Sequence, residues 1–243
     1  MAQQVKSKER VANHGEVFTA EREVNAMLDL VKQETERVDS RFLEPACGDG
    51  NFLVEILRRK LEAAKKRAIP PKKKKPLPAE YEKQAVIAIA SIYGVDLLLD
   101  NVIACRKRLF EIWDKEYVLI CKKEISEECR AAVKFILNRN IVCGNALSMK
   151  KVDAEGNDIE EPIVFSEWAF VMGTKMQRKD YRLDKLLAGE YDAVNKVKCS
   201  KKVKKTDAPQ QMDLLSMIDK KSNDEAELLT TYVTDYRRIH CHG

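Results

Sequence analysis

The chain of 243 residues is long enough for one substantial core, or a core with a small appendage, and its 44% hydrophobic and 34% charged residues suit a globular protein. Apolar runs such as Val86 to Val95 fall well short of the ~20 residues needed to cross a bilayer, which argues against a membrane protein. Seven singly scattered cysteines argue against a disulfide scaffold, and MAQQVKSKER lacks the apolar segment of a secretion signal, so the cytoplasm is the expected compartment. The formal charge of +5 is uneven. Lys65, Lys66, Arg67 and Lys72, Lys73, Lys74 and Lys75 form one basic cluster, and Lys196, Lys198, Lys201, Lys202, Lys204 and Lys205 form another. Either is a solvated loop or a surface that neutralises phosphates, and lysine would position a nucleic-acid backbone without reading bases.

In chain order, residues 1–13 are polar and expected to be frayed. Val24, Met27, Leu28 and Val31 predict a helix from Glu21 to Arg37, capped by Thr19. A strand at Arg41 to Leu43 leads through a glycine loop into a helix from Asn51 to Ala68. The prolines of residues 69–78 stop that helix and make an exposed lysine-rich loop. Further helices are expected at Ala79 to Ser91, Asn101 to Trp113 and Ser126 to Leu137, with strands at Ile92 to Asp96, Asn140 to Cys143 and Ile163 to Met172. This alternation predicts an α/β fold with an open, mostly parallel sheet. Past Gly173 a short helix at Asp180 to Ala188 and a last one at Asn223 to Ile239 are expected. Its stripe of Leu228, Leu229, Tyr232, Val233 and Tyr236 would pack on the same domain.

LEPACGDGNFL, Leu43 to Leu53, carries the strongest chemical signal. Gly48 and Gly50 permit backbone torsions and close approach to a ligand, and the amides of the helix that follows are free to face it. This segment resembles the first signature of the amino-group DNA methyltransferases, especially the N6-adenine enzymes of restriction and modification systems: an acidic residue, then Pro-Ala-Cys-Gly-x-Gly-x-Phe, here Glu44 to Phe52. Upstream, Gly15 to Ala20 resembles their Gly-x-x-Phe-Thr-Pro segment, with Ala20 in place of the proline. IYGVDLLLDNV supplies Asp96 where the family has its ribose-binding acid, with Asp100 as a rival read as a cap or surface residue. NIVCGNAL resembles Gly-Asp-Ala-Leu, with Asn145 replacing the aspartate that accepts from the adenine amino group; a turn cap is the competing role for Asn145.

The resemblance implies a Rossmann-like methyltransferase sheet over residues 14–173, incomplete on its C-terminal side, with 174–243 as a helical, basic extension packed on it. It implies S-adenosylmethionine, or its demethylated product, as the cofactor, held by Phe18, Thr19, Glu44, Pro45, Ala46, Cys47, Gly48, Gly50, Phe52, Asp96, Asn145 and Ala146. Cys47 is read as packing by the cofactor. DNA is the implied partner, with Lys72, Lys73, Lys74, Lys75, Lys201 and Lys202 as candidate contacts. The family's catalytic Asn/Asp-Pro-Pro-Tyr/Phe is absent, since the one Pro-Pro pair, Pro70-Pro71, precedes Asp96. Glu167, Trp168 and Phe170 stand in the expected region but read equally well as strand residues, and no Pro-Cys pair supports a cytosine-C5 mechanism. Three readings follow: a partner chain supplies the catalytic or recognition parts, the chain is a non-catalytic subunit, or other residues carry the chemistry. His240-Cys241-His242, with Cys199 the one nearby cysteine, is not expected to hold a metal, and His14 is expected to face solvent.

Overall fold

A computed structural model of the chain describes residues 7–14, 17, 19–186 and 228–242. The fold is mixed α/β. Its centre is a three-stranded parallel sheet of β1 (Phe42–Glu44), β2 (Ile92–Asp96) and β3 (Ile141–Cys143), in the order β1-β2-β3.

The N-terminal region departs from expectation in two places. Residues 8–13 belong to a helix, α1 (Lys8–His14), tied down by the Arg10–Asp100 ion pair at 2.7 Å. The helix expected from Glu21 to Arg37 is broken into α2 (Glu21–Asp29) and α3 (Lys32–Thr35). At Val31 the backbone leaves the helical region, with φ −119° and ψ 31°, and its carbonyl starts a new turn by accepting from Glu34 N–H.

After β1 the chain turns through Gly50 into α4 (Asn51–Arg67), and α5 (Pro78–Ala90) begins with proline at a position where the missing amide costs no helical bond. Leu53, Leu57, Leu61 and Ala64 of α4 pack with Tyr81, Ala85 and Ile89 of α5 in the main core. Fully buried Lys60 points its ammonium at the carbonyls of Arg37 (3.0 Å), Val38 (3.1 Å) and Ser40, pinning α4 to the approach of β1. Next, α6 (Leu99–Cys121) runs well past the expected Trp113, because Cys105, Leu109, Trp113, Tyr117 and Cys121 continue one buried stripe at four-residue spacing. Trp113 and Tyr117 stack at 4.6 Å, and Trp113 Nε1 donates to Ala85 O. Ser126 caps α7 (Glu127–Asn140), which leads into β3.

The other five strands are antiparallel, which corrects the expectation of a mostly parallel sheet. The segment from Gly144 to Ile163 holds a hairpin, β4 (Lys150–Val152) with β5 (Asp158–Pro162), instead of the crossover helix that another parallel strand would need. The expected fourth strand does form, as β6 (Val164–Met172), but it pairs with β7 (Lys175–Arg182), which pairs with β8 (Leu228–Asp235). Ile163 and Phe165 close over Tyr93 and Val95, with the Phe165 and Tyr93 rings edge to face at 5.3 Å. Asp180, expected to start a helix, is a buried β7 residue accepting from Arg139, Ser166 and Arg178; residues 183–186 are helical, and the rest of the expected helix, 187–188, lies outside the described residues. The described part of the last expected helix, from Leu228 on, is likewise strand β8 followed by a 3-10 turn, Tyr236–His242, while 223–227 lie outside the described residues. Its Thr230, Thr231, Val233 and Thr234 are β-branched and ladder onto β7. This C-terminal element packs on the main core through Tyr236 and Ile239. Among the described residues no helix is long and apolar enough to cross a membrane.

Candidate functional site

Segments far apart in sequence meet at the C-terminal ends of the three parallel strands around a cavity of about 520 Å³. This is the end of an open α/β sheet at which ligands bind. Thr19, Glu44, Pro45, Ala46, Cys47, Gly48, Phe52, Asp96, Asn145 and Ala146 all line it. Gly50 does not line the cavity, and Phe18 lies outside the described residues.

The glycine loop is built from backbone torsions and one carboxylate. Gly48 and Gly50 have φ of +53° and +95°, conformations that L side chains rarely adopt. Cys47 N–H donates to Val95 O (2.9 Å) and Gly50 N–H to Cys47 O (2.8 Å), so the loop folds back over β2 before α4 begins. Asp96 Oδ2 accepts from Gly48 N–H at 2.8 Å, while its Oδ1 accepts from Leu98 N–H (2.9 Å) and Asn101 Nδ2 (3.1 Å). Asp100, the rival acid, points instead to Arg10. Asn51 Nδ2 reaches Thr19 O at 3.1 Å, drawing the N-terminal segment across the cavity.

Asn145 performs the capping role weighed for it while still lining the cavity. Its Oδ1 accepts from Leu147 N–H (3.0 Å) and its Nδ2 donates to Asp158 (3.0 Å) on β5. Cys47 is buried, and its thiol pKa is raised by the hydrogen bond with Cys105 and by burial, so it is a packing thiol and a poor nucleophile. Burial raises the Glu44 pKa, opposed by a bond from the Ala46 amide.

The lining also includes Val17, Asn51, Leu97, Leu98, Asn101, Gly144 and Leu147, which were not among the candidate cofactor residues. Their signal in the sequence is that they lie within the segments matched to the family. Leu147 is 93% exposed and Val17 61%, giving the mouth an apolar rim. Among the lining residues Glu44 and Asp96 are carboxylates, and none is Lys, Arg or His. Chemically this is an acceptor-rich, electronegative slot with apolar walls, suited to a ligand that brings hydroxyl or ammonium donors. It is ill suited to a pyrophosphate, which a dinucleotide site would place on the same loop.

The remaining candidates lie elsewhere. Glu167 is paired with Arg41 at 2.6 Å, Trp168 is buried with Nε1 on Asn140 Oδ1 (2.9 Å), and Phe170 meets the Tyr236 ring at 5.4 Å. None lines the cavity. Lys72 to Lys75 are exposed in the loop between α4 and α5. The 17-residue length of α4, about 25 Å, separates that loop from the glycine turn. Lys201 and Lys202, with the rest of the second lysine cluster and Cys199, lie outside the described residues. Among the described residues no group of three or more His, Cys, Asp or Glu is placed to hold a metal ion. No protein-family model, curated protein or solved structure matches the chain.

Proposed function

We propose that the cavity binds S-adenosylmethionine in a Rossmann-like half-fold, and that the chain is a DNA methyltransferase-related protein. In this reading it takes part in methyl transfer to adenine N6 with a partner chain that supplies the catalytic segment. The observation that carries the reading is convergence: the sequence segments around Thr19, Glu44 to Phe52, Asp96 and Asn145, each matched to the family separately, line one cavity. Its volume of about 520 Å³ falls in the ordinary range for small-molecule sites.

The chemistry of the lining favours this cofactor over a dinucleotide. S-adenosylmethionine brings a sulfonium, an ammonium and ribose hydroxyls, and two carboxylates with no lining cation suit such donors. Glu44 faces the cavity from the end of β1 and Asp96 from the end of β2, so the two acceptors serve different parts of an extended ligand. Asp96 already accepts three bonds; a carboxylate offers about four acceptor positions, so one remains on Oδ2 for a hydroxyl.

A second reading, a non-catalytic nucleic-acid-binding or assembly subunit that keeps the pocket, is favoured by one specific observation. The sole Pro-Pro pair, Pro70-Pro71, sits in the loop beyond α4, far from the cavity. Calorimetry with S-adenosylmethionine tests the pocket, with a dissociation constant of about 100 μM or tighter expected, equivalent to roughly 5 to 6 kcal/mol. Absence of binding sinks both readings. Transfer of a tritiated methyl group to DNA by the isolated chain would eliminate the non-catalytic reading and the need for a partner.

A further inference from the structure

A second cavity, of about 280 Å³, has the opposite electrostatic character to the first. The two meet at the end of β3: Val142 and Cys143 line this one, and Gly144 and Asn145 line the other. Arg106 of α6, Arg139 of α7 and Lys151 of β4 contribute to its wall, together with the apolar Val142, Ile163 and Val164. No residue of the lining is Asp or Glu, whereas the first cavity has two carboxylates and no cation.

The three cations are fixed by bonds that do not exhaust their donors. Arg106 Nε donates to Ile141 O at 2.8 Å, and its Nη2 donates to Ile141 O and to Asn138 O (3.1 Å), tying α6 to the end of α7 and the start of β3. Arg139 Nε donates to Ser166 Oγ (3.0 Å), and its Nη2 to Asp180 Oδ2 (2.8 Å), a carboxylate that also accepts from Arg178. Lys151 Nζ reaches Glu161 at 2.7 Å across the β4–β5 hairpin. Among the described residues, Nη1 of Arg106 and of Arg139 has no partner, and the remaining protons of the Lys151 ammonium have none either. Arg106 differs from the other two in that no carboxylate of the described residues pairs with it. Burial lowers its pKa, so a cation that has lost part of its hydration stands there without a counter-charge. An anion accepting from it would relieve that cost.

We propose that this cavity binds a phosphate monoester, its phosphoryl oxygens accepting from Arg106, Arg139 and Lys151 and its ester group lying against Val142, Ile163 and Val164. A monoester carries close to two negative charges at neutral pH, against one for a carboxylate or a backbone diester, and so suits three cations best. The two guanidinium forks match phosphate geometry, and the ammonium adds a point charge. At about 280 Å³ the cavity lies at the low end for small-molecule sites. That space suits a phosphoryl group with one substituent, not a strand continuing on both sides of the phosphorus. A free sugar phosphate and the 5′-phosphate end of a nucleic-acid strand present this same group. The inference goes beyond the S-adenosylmethionine reading and does not depend on it, since the two linings share no residue.

The test uses the full chain at constant ionic strength, with the side-chain Nε–H resonances of Arg106 and Arg139 followed by NMR. Ribose 5-phosphate should shift both saturably, with a dissociation constant of about 1 mM or tighter, and inorganic phosphate should compete. Lys151→Gln removes one charge and leaves the bonds of both arginines in place, so affinity should fall roughly threefold or more. Arg106→Lys keeps the charge and loses the fork, and a fall of roughly tenfold is expected. Circular dichroism reports whether each variant folds, and Lys151→Gln, on the exposed hairpin, decides the matter should Arg106→Lys fail to fold. A short oligonucleotide with and without a 5′-phosphate separates the sources. Displacement of ribose 5-phosphate by the phosphorylated form alone assigns the site to a strand end, and displacement by neither assigns it to a free monoester. Four outcomes overturn the proposal. They are no saturable shift up to about 20 mM ribose 5-phosphate, equal shifts with acetate, unchanged affinity in a folded variant, and displacement by the oligonucleotide that lacks the 5′-phosphate.

Discussion

Gly48 donates its backbone N–H to Asp96 Oδ2 at 2.8 Å, so the carboxylate at the end of β2 holds the loop at the end of β1. Asp96 is therefore a scaffold residue as well as a candidate ribose acceptor. Asp96→Ala should cost about 2 to 3 kcal/mol, because a charged acceptor of three bonds is removed, and should abolish cofactor binding. Asp96→Asn separates the two roles. Its amide oxygen still serves Leu98 and Asn101, but its NH2 cannot accept from Gly48 N–H, so stability in urea should fall by about 1 to 2 kcal/mol, less than for alanine, while affinity falls roughly tenfold or more. Affinity that follows stability in both variants would leave Asp96 a structural role only.

The second glycine tests the loop sterically. A Cβ at Gly50, at φ +95°, would lie 2.6 Å from Cys105 Sγ on α6. Gly50→Ala should therefore lose about 2 to 4 kcal/mol from the combined torsion and overlap. Cys105→Ala made with it should recover the overlap share and leave the torsional share, a coupling that a double-mutant cycle in urea measures directly. Strict additivity would show that α6 yields freely at Cys105.

The cofactor-like loop was legible because its signals are local: two glycines at positive φ, an acid at the end of the next strand and the helix start after Gly50 all follow from short stretches of sequence. The partner of β6 was not legible in the same way. Ile163 to Met172 read correctly as strand, but whether it joins the parallel sheet depends on the connection before it, and the β4–β5 hairpin fills that connection. At the C-terminus, Leu228, Tyr232 and Tyr236 repeat every four residues and suggested a helix. The run Thr230 to Thr234 favours strand, and pairing with β7 decides the matter. The rim residues Val17, Leu97 and Leu147 lie within the matched segments but were not picked out as contacts, and the shape of the cavity brings them in.

A buried carboxylate ties the C-terminal turn to the helices. Glu82, 1% exposed, accepts from Tyr117 OH (2.7 Å), Tyr236 OH and Arg237 Nε (2.6 Å). Burial alone would raise its pKa, but the bonds from Arg237, Tyr236 and Tyr117 outweigh burial and hold it below the ordinary 4.5. A carboxylate whose pKa is depressed on folding contributes stability that is full above its unfolded value and drains away as pH falls through the folded one. The urea midpoint should therefore fall on acidification below about pH 4.5, and Glu82→Gln should flatten that limb while costing about 3 kcal/mol at pH 7. An unchanged acid limb in Glu82→Gln would show that other carboxylates govern acid unfolding.

The lysine loop and the cavity stand at opposite ends of α4, so their functions are separable by mutation. Replacing Lys72, Lys73, Lys74 and Lys75 with glutamine leaves the cavity lining untouched, and cofactor affinity should remain within roughly twofold, since the four charges lie beyond several Debye lengths' worth of helix from Asn51. Duplex DNA binding, followed by anisotropy over a salt series, should respond strongly. If all four lysines displace counterions, the slope of log K against log salt becomes shallower by about 3 to 4. An unchanged slope would remove Lys72 to Lys75 from the nucleic-acid surface and leave the basic residues outside the described regions to account for any DNA affinity. Because lysine contacts the backbone without selecting bases, the loss should be the same for every duplex sequence tried. A sequence-dependent loss would mean that the loop reads DNA, for which its four point charges supply no geometry.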